Sequence, residues 1–405
     1  MRINAFKALR PQAELAAAVA SVPYDVVTTE QAMSLASGNP FSFLHVARAE
    51  IDLPPGTDPY SDAVYSKAAQ SFRELEQTGT LIREEKPCLF VYRQKMGGHS
   101  QSGIVACCHI QDYETNVIRK HEKTLPAKEN DRMRHICGLN AQAEPVFVVF
   151  RDTPAITRIL TETEATAALY DFTAADGIRH TVWRLPGAKG AIEAFAAVPQ
   201  GYIADGHHRF AAAVRLGRER RAANQNHTGT EEYNWVLATI FPASQLKILA
   251  YNRVVSDLNR MKPGEFLAKL DVQFELRPAG RLPPATQGRV NMYLDGHWYE
   301  LAMAAATRAD TPKVLDVAAL QERLLAPILG IDDPRTSKRI DFVGGLNSVD
   351  ELVRRVDSGR WAVAFSMHPV TIDDVMTYSD AGLIMPPKST WFEPKLRSGL
   401  FAYTL

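Results

Sequence analysis

Several features that define other protein classes are scarce or missing in this chain of 405 residues. It has four cysteines and no Cys-x-x-Cys pair, so we expect neither a disulfide framework nor a zinc–thiolate site. No apolar run approaches the roughly 20 residues that a membrane-spanning helix needs, and no apolar signal region follows the first residues. These absences predict a cytoplasmic protein with no membrane partner.

The chain also lacks an excess of charge of one sign, because 46 lysines and arginines balance 46 aspartates and glutamates. Proteins that bind nucleic acid through its phosphates normally carry a basic surplus, so we expect no nucleic-acid partner. The P-loop, the Gly-x-Gly-x-x-Gly turn, the kinase His-Arg-Asp set and the Gly-x-Ser-x-Gly elbow are missing as well. If this chain binds a nucleotide, it does so with a less common framework.

What the sequence does contain is an ordinary globular composition, with 46% hydrophobic and 23% charged residues. Short apolar runs alternate with helical patterns along almost the whole chain, which predicts mixed α/β structure. Hairpins are predicted around Gly97-Gly98 and Asp295-Gly296, which are typical tight-turn pairs. Residues 42–46 are predicted to form a strand.

The length favours more than one domain. The composition changes after about residue 255, where a stretch rich in proline, glycine and arginine at residues 277–287 follows. We therefore predict a nucleotide-binding core with an N-terminal α/β elaboration over residues 1–255. Residues 256–405 are predicted to form a C-terminal α/β block with a closing loop.

Residues 201–217 place a dense group of polar side chains at a predicted strand-to-helix corner. The strand ends at Asp205, and a helix of good formers follows, with Gly217 in the place of a C-terminal cap. The free N–H groups and the dipole at a helix start attract anions, and a phosphate is the expected guest. A plain helix cap with surface histidines is the alternative. The residues assigned to this phosphate site are Gly206, His207, His208 and Arg209.

A second candidate segment is strongly basic. Residues 117–135 contain six lysines and arginines against three acidic residues, and Pro126 interrupts what would otherwise read as a solvated charged helix. Adjacent histidine and glutamate in this segment could serve as a base and its orienting partner. The residues assigned here to phosphate or nucleotide binding are Lys120, His121, Glu122, Thr124, Lys128 and Arg132.

The third segment, residues 385–399, contains three prolines together with Trp391 and Phe392. Large aromatic side chains are normally packed rather than left in water, so a rigid loop is expected here. Such a rigid loop could close over a phosphate, or it could pin the C-terminal segment to the body. The basic and hydroxyl side chains that could contact a phosphate are Lys388, Ser389, Thr390, Lys395 and Arg397.

Near the start of the chain, Asp25 and Glu30 are candidate carboxylate bases, because an extended segment and a helix start meet there. Arg48 and Glu50 form a further charged group. For each of these alone, a helix cap or a surface pair is the simpler interpretation.

Taken in order, these segments resemble a bacterial and archaeal family known as domain of unknown function 1015. The block from Asp205 to Arg209 is in turn similar to the signature of the ParB/sulfiredoxin-like superfamily, in which this corner binds nucleotide phosphate. The resemblance implies a ParB/sulfiredoxin-like core elaborated with extra hairpins and a C-terminal α/β block. The segments that carry the family resemblance are residues 6–11, 23–26, 42–46, 119–132, 204–209 and 386–399.

Some members of that superfamily phosphorylate free L-serine, so the resemblance implies a kinase that uses ATP or ADP, with Mg²⁺ as the expected cation. It implies catalytic roles for Asp205 and for a carboxylate base. Glu30 and Asp25 are the first candidates for this base, and Glu50 and Glu122 are the alternatives. The turn holds no cysteine, which removes sulfiredoxin chemistry. A nucleotide-binding module or switch and a phosphoester hydrolase are the alternatives. The sequence leaves the oligomeric state open.

Overall fold

A computed structural model describes residues 1–303 and 313–405 of the chain. The strands in chain order are β1 (Ile3–Asn4), β2 (Leu9–Pro11), β3 (Leu81–Arg83), β4 (Leu89–Met96), β5 (His99–His109), β6 (Ile118–Arg119), β7 (Ala141–Gln142), β8 (Val146–Phe150), β9 (Tyr170–Thr173), β10 (Arg179–Leu185), β11 (Gly201–Asp205), β12 (Trp235–Pro242), β13 (Ile248–Leu249), β14 (Asn252–Val255), β15 (Leu276–Pro278), β16 (Arg289–Leu294), β17 (His297–Ala302), β18 (Ile340–Val343), β19 (Val363–Met367), β20 (Trp391–Phe392) and β21 (Tyr403–Thr404).

The helices lie between groups of these strands, and the predicted mixed α/β class is confirmed. In chain order the helices are α1 (Ala16–Val19), α2 (Thr29–Ala36), α3 (Leu44–Ala47), α4 (Asp62–Gln77), α5 (Ile110–Glu114), α6 (Pro126–Leu139), α7 (Pro154–Glu164), α8 (Ala188–Ala196), α9 (His207–Ala223), α10 (Pro263–Asp271), α11 (Asp316–Leu320), α12 (Ser348–Asp357) and α13 (Ile372–Asp380). No helix in the described part of the chain is long and apolar enough to cross a membrane.

The chain divides into two compact units. Unit 1 combines Met1–Leu246 with Pro394–Leu405, and unit 2 is Lys247–Glu393. The sequence predicted a single division near residue 255, whereas in the structure Pro394–Leu405 belong to unit 1. That the predicted domains fold independently of each other remains a prediction.

Unit 1 is built on a sheet with the strand order β6-β11-β8-β12-β5-β4-β10-β9, and β1 pairs with β5. Its inner strands are buried on both faces, as in β8, where all five residues are buried. One face packs against α7, α8 and α9 through Ile156, Phe195 and Phe210. The hairpin of β4 and β5 turns at Gly97-Gly98 as predicted.

Two local predictions in unit 1 were wrong. Residues 42–46 were predicted as a strand, but Leu44–Ala47 is helical, because a short apolar run does not distinguish a strand from a buried helical turn. Gly217 does not cap α9, which continues to Ala223. A Cβ at Gly217 would lie 2.4 Å from the Tyr233 carbonyl oxygen, so glycine is needed there for close packing rather than for a turn.

Unit 2 is built on an antiparallel sheet with the order β15-β17-β16-β19-β14-β18. The predicted hairpin at Asp295-Gly296 is confirmed as β16 and β17. Helix α12 covers the sheet with Leu352 and Val356. The short strands β13 and β20 pair, and the Glu393 N–H donates to the Lys247 carbonyl at 3.0 Å. The chain therefore enters and leaves unit 2 side by side.

Candidate functional site

The predicted strand-to-helix corner is present in unit 1. Strand β11 ends at Asp205, and α9 begins at His207 after Gly206, whose φ of 88° lies in the left-handed region that favours glycine. The Gly206 N–H donates to the Asp205 carboxylate at 3.0 Å. A helix of 17 residues thus starts directly behind this carboxylate, and its first N–H groups are available to an anion.

Two cations face Asp205. The Lys395 ammonium lies 3.1 Å from its Oδ2 atom, and the Arg209 guanidinium lies 3.8 Å from the same atom. Burial alone would raise the pKa of Asp205, but Lys395 and Arg209 outweigh burial and hold that pKa far below its ordinary value. The carboxylate is therefore ionised and faces two cations.

The two histidines beside this corner are buried and neutral. The rings of His121 and His207 meet edge to face with centroids 4.5 Å apart, and the two residues are 2% and 5% exposed. Burial lowers the pKa of His121 to about 4 and the pKa of His207 well below its ordinary value. The Glu122 carboxylate, predicted to orient His121, lies 3.9 Å from Nδ1 of His207. These rings offer hydrogen bonds to a ligand, but no charge.

Pro126 divides the basic segment into two parts, as we predicted from the sequence, and helix α6 begins at this proline. Before it, the Lys120 ammonium lies 4.1 Å from the Tyr113 ring centroid, and burial lowers the pKa of Lys120. Thr124 is half-buried in the connecting loop. His208 accepts a hydrogen bond at 3.4 Å from the backbone N–H that precedes the proline. The charges of Lys120 and His208 act on the pKa of His207 at the corner. Thr124 lies in the loop between β6 and α6.

After the proline, α6 carries the remaining predicted basic residues. Arg132 is buried and pairs with Asp131 at 2.9 Å and with Glu144 at 3.3 Å. Its guanidinium carbon lies 3.7 Å from the centroid of the Tyr24 ring. Lys128 is exposed and donates to a tyrosine hydroxyl at 2.9 Å. Arg132 is thus a fixed part of a buried ionic network.

A cavity of about 250 Å³ opens beside this network. Glu50, expected from the sequence to be a surface residue, is only 9% exposed and lies in the cavity wall. Its carboxylate pairs with the Arg48 guanidinium at 2.8 Å. The charged side chains that line the cavity are Arg48, Glu50, Lys128, Asp131 and Arg132. The cavity is therefore suited to a small molecule with both positive and negative groups.

The same charged residues act on the cavity and on the corner. Tyr24 lines the cavity, and burial, opposed by Arg132, raises the pKa of its hydroxyl. The charges of Asp25 and Glu144 act on the pKa of Tyr24 and also on the pKa of Arg209 at the corner. Arg132 in the cavity wall pairs with Glu144 at 3.3 Å, and Arg209 at the corner donates to the carbonyl of the next residue, Pro145, at 2.9 Å. The Glu144–Pro145 segment therefore contacts both the cavity wall and the corner.

The two candidate bases lie at the surface near this region. Asp25 is exposed in a single 3₁₀ turn, Tyr24–Val26. Glu30 is exposed in the first turn of α2, where hydrogen bonds from its own backbone N–H and from Thr28 lower its pKa. The charge of Asp25 is among the main influences on the pKa of Arg209.

The third predicted segment is divided between the units. Lys388, Ser389 and Thr390 belong to unit 2, where the Ser389 hydroxyl donates to the Pro386 carbonyl at 2.6 Å. The carbonyl of Lys388 accepts a hydrogen bond at 3.0 Å from Arg253 of the same unit. Lys395 belongs to unit 1 and reaches the corner, a pairing across about 190 residues that no local pattern could indicate.

The family described as "Protein of unknown function (DUF1015)" matches residues 3–318 of the chain. No curated protein matches this chain. Several solved structures are similar to the chain, with low sequence identity and low TM-scores, and three of them are described here. A conserved hypothetical protein from Pyrococcus furiosus is 12% identical, with a TM-score of 0.39, and the match covers 74% of this chain and 95% of that one.

A free serine kinase in complex with AMP is 11% identical, with a TM-score of 0.38, over 73% of this chain and 91% of that one. A C-terminally truncated SbnI from Staphylococcus aureus is 11% identical, with a TM-score of 0.40, over 74% of this chain and 87% of that one.

Proposed function

This chain belongs to the DUF1015 family, and we propose that it is a small-molecule kinase that transfers a phosphoryl group from ATP or ADP to the hydroxyl of free L-serine. The observation that supports this most directly is the Glu144–Pro145 segment, which contacts Arg132 in the wall of the charged cavity and Arg209 at the Asp205 corner. A phosphoryl donor and a small zwitterionic acceptor each have a matching site there.

We assign the donor's phosphates to the corner. The N–H groups at the start of α9 and the cations Arg209 and Lys395 favour an anion in front of Asp205. The side chains of Asp205 and Glu122 are 28% and 33% exposed, so both carboxylates are accessible to a cation. Mg²⁺ would be held by Asp205 together with the phosphates, as this ion usually is, and it would neutralise developing charge.

We assign the acceptor to the cavity. Arg48 offers a partner for the carboxylate of serine, and the acidic side chains of Glu50 and Asp131 offer partners for its ammonium group. The sequence alone identified no residue for the carboxylate. The hydroxyl oxygen attacks the terminal phosphorus, the bond from that phosphorus to the bridging oxygen breaks, and the hydroxyl proton passes to a base. We assign Asp25 as this base because its charge acts on both Tyr24 and Arg209.

Phosphorus NMR tests the proposal directly. The protein is incubated with Mg²⁺, ATP or ADP, and a pool of free amino acids, with and without L-serine. We expect a new phosphomonoester signal that requires both serine and nucleotide. Intact nucleotide across the whole pool would contradict the kinase and favour a binding module. Phosphate release from O-phosphoserine without nucleotide would favour a hydrolase.

Arg48→Met separates the acceptor site from the donor site. We expect the KM for serine to rise by about tenfold or more, the loss typical of one charge-assisted hydrogen bond, with the affinity for ADP unchanged. Arg83→Met, which removes an exposed arginine from β3, serves as the control. An unchanged KM in Arg48→Met would remove the cavity from the acceptor site.

A further inference from the structure

Two glutamines are buried within the sheet of unit 1. Gln94 on β4 and Gln101 on β5 lie opposite each other in the pairing register, and they are 0% and 1% exposed. Burying an amide costs free energy unless its donors and acceptors are bonded. Both amides are almost completely buried, so their burial needs specific hydrogen-bond partners.

Their hydrogen bonds lead to one backbone segment. The Gln101 amide donates to Oε1 of Gln94 at 3.0 Å and lies 3.4 Å from the Pro394 carbonyl oxygen. The Gln94 amide donates to the Lys395 carbonyl oxygen at 2.7 Å. Because both backbone carbonyls only accept, the orientation of each amide is fixed. Oε1 of Gln101 in turn accepts from His99 at 3.2 Å.

The same segment is held again just after Lys395. Arg397 donates to Nε2 of the buried His180 at 3.1 Å and pairs with Asp176. The Ser398 hydroxyl donates to Glu144 at 3.1 Å. The backbone of Lys395 is therefore fixed on both sides, while its side chain extends to Asp205. A lysine side chain has high rotational freedom, so a fixed backbone restricts where its ammonium group can lie.

We propose that Lys395 is a cation that contacts the phosphates of the donor, and that Gln94 and Gln101 are positioning residues that hold it at the corner. The proposal rests on the proposed function in one respect, that the ligand of the corner is a nucleotide phosphate. Without ligand the ammonium group pairs with Asp205. A phosphate in front of α9 presents a second acceptor to the same group, within reach of an unmoved backbone.

The first experiment measures positioning without any nucleotide. The reaction of Lys395 with a soluble amine reagent is followed by mass spectrometry in the native protein and in Gln94→Met. We expect the variant to react several-fold faster, because the carbonyl contact that fixes the segment is lost. Gln142→Met is the matched control, since Gln142 is also buried and holds two backbone groups, of Trp235 and Leu237, at 2.8 and 2.9 Å.

Equal Lys395 reactivity in Gln94→Met and Gln142→Met would overturn the positioning role. Both variants lose a buried amide, so a similar fall in thermal stability is expected in both and carries no information about the site. Only the reactivity of Lys395 distinguishes positioning from a purely structural role.

The second experiment measures the dissociation constants of ATP and ADP by calorimetry. We expect Lys395→Met to weaken binding about tenfold or more, Lys395→Arg to restore part of it, and Gln94→Met to weaken it by a smaller factor. Unchanged affinity in Lys395→Met would overturn the contact. These effects without serine phosphorylation would leave the inference standing and remove the kinase. No binding of ATP or ADP by the native protein would overturn both.

Discussion

Individual residues at the corner have their charge states set by burial and by their neighbours. Asp205 stays ionised because Lys395 and Arg209 offset its burial. His121 and His207 stay neutral because burial outweighs the nearby negative charge of Asp205. The positive charge that attracts a phosphate therefore comes from lysine and arginine, and it persists through the neutral pH range.

The buried imidazole of His121 predicts a dependence of stability on pH. Its pKa is about 4 in the folded chain against 6.5 in the unfolded chain. The unfolded state therefore binds more protons between these values, and the free energy of unfolding falls as the pH drops from 6.5 to 4. The expected contribution of this group is roughly 3 kcal/mol.

Urea unfolding across this pH range checks the prediction, with His121→Gln for comparison. We expect a shallower dependence on pH in the variant. Measurements above pH 7, where the imidazole is neutral in both states, give the cost of the substitution that is unrelated to protonation. Parallel curves for the two proteins would contradict the prediction.

The base assignment gives a second prediction for single residues. Asp25→Asn should lower kcat for serine phosphorylation by about 10²- to 10⁴-fold, the range that a positioned base contributes, without loss of nucleotide affinity. Glu30→Gln is the matched variant, and we expect it to change kcat by only a few-fold. The opposite result, a large loss in Glu30→Gln alone, would make Glu30 the base.

The sequence predicted the residues of the corner because they are consecutive, so local chemistry identifies them. Other parts of the site come from distant positions. Gln94 and Gln101 stand among charged and polar residues beside a hairpin turn, in residues 93–95 and 100–102, which is typical of an exposed hairpin end, although both are buried. Arg48 and Glu50 read as a surface pair for a similar reason. Burial of this kind depends on which segments cover a strand or helix, and a single sequence does not show that.

At the scale of elements, the strand, turn and helix around Gly206 form the site's rigid part. The turn needs the positive φ that Gly206 supplies, and a Cβ there would lie 2.9 Å from the Arg209 guanidinium. The glycine therefore serves two purposes, because it permits the turn and leaves room for the cation beside Asp205.

Gly206→Ala should lower stability by about 1–2 kcal/mol through backbone strain and should also weaken nucleotide binding, because Arg209 must move. Gly187→Ala is the control. Gly187 also precedes a helix with a positive φ of 74°, and no atom lies within 4 Å of its added Cβ. Thermal unfolding and nucleotide titration of both variants separate the two effects. Equal nucleotide affinity in the two variants would contradict the role of Arg209.

Elements with distinctive turn residues were predicted well. Gly97-Gly98 and Asp295-Gly296 lie at the tips of their hairpins, because tight turns require residues that tolerate positive φ. Residues 42–46 lacked such a signal, and their apolar run fitted a strand and a helix equally. Pro126, in contrast, is a clear local signal. It ends the preceding segment and occupies the first turn of α6.

At the scale of the whole molecule, unit 2 is inserted into unit 1. The ends of unit 2 meet through the pair β13 and β20 and through the bond between Lys247 and Glu393. Unit 1 has its own sheet and its own apolar clusters. The arrangement predicts that unit 1 does not need unit 2 to fold.

Replacing residues 248–392 by a short glycine–serine linker tests this prediction. We expect the shortened protein to unfold in one cooperative transition and to keep the slow reaction of Lys395 with an amine reagent. An unfolded product would contradict the prediction. Lost nucleotide affinity in a folded product would contradict a donor site formed by unit 1 alone.

The discontinuity of unit 1 has a consequence for synthesis on the ribosome. Pro394 emerges about 150 residues after Leu246, a delay of roughly 10–30 s at ordinary elongation rates. During that interval the amides of Gln94 and Gln101 and the place later filled by Phe401, which is 1% exposed in the finished chain, remain uncovered. A ribosome that stops within unit 2 releases a chain without Lys395. Only translation beyond unit 2 yields a protein with Lys395 at the Asp205 corner.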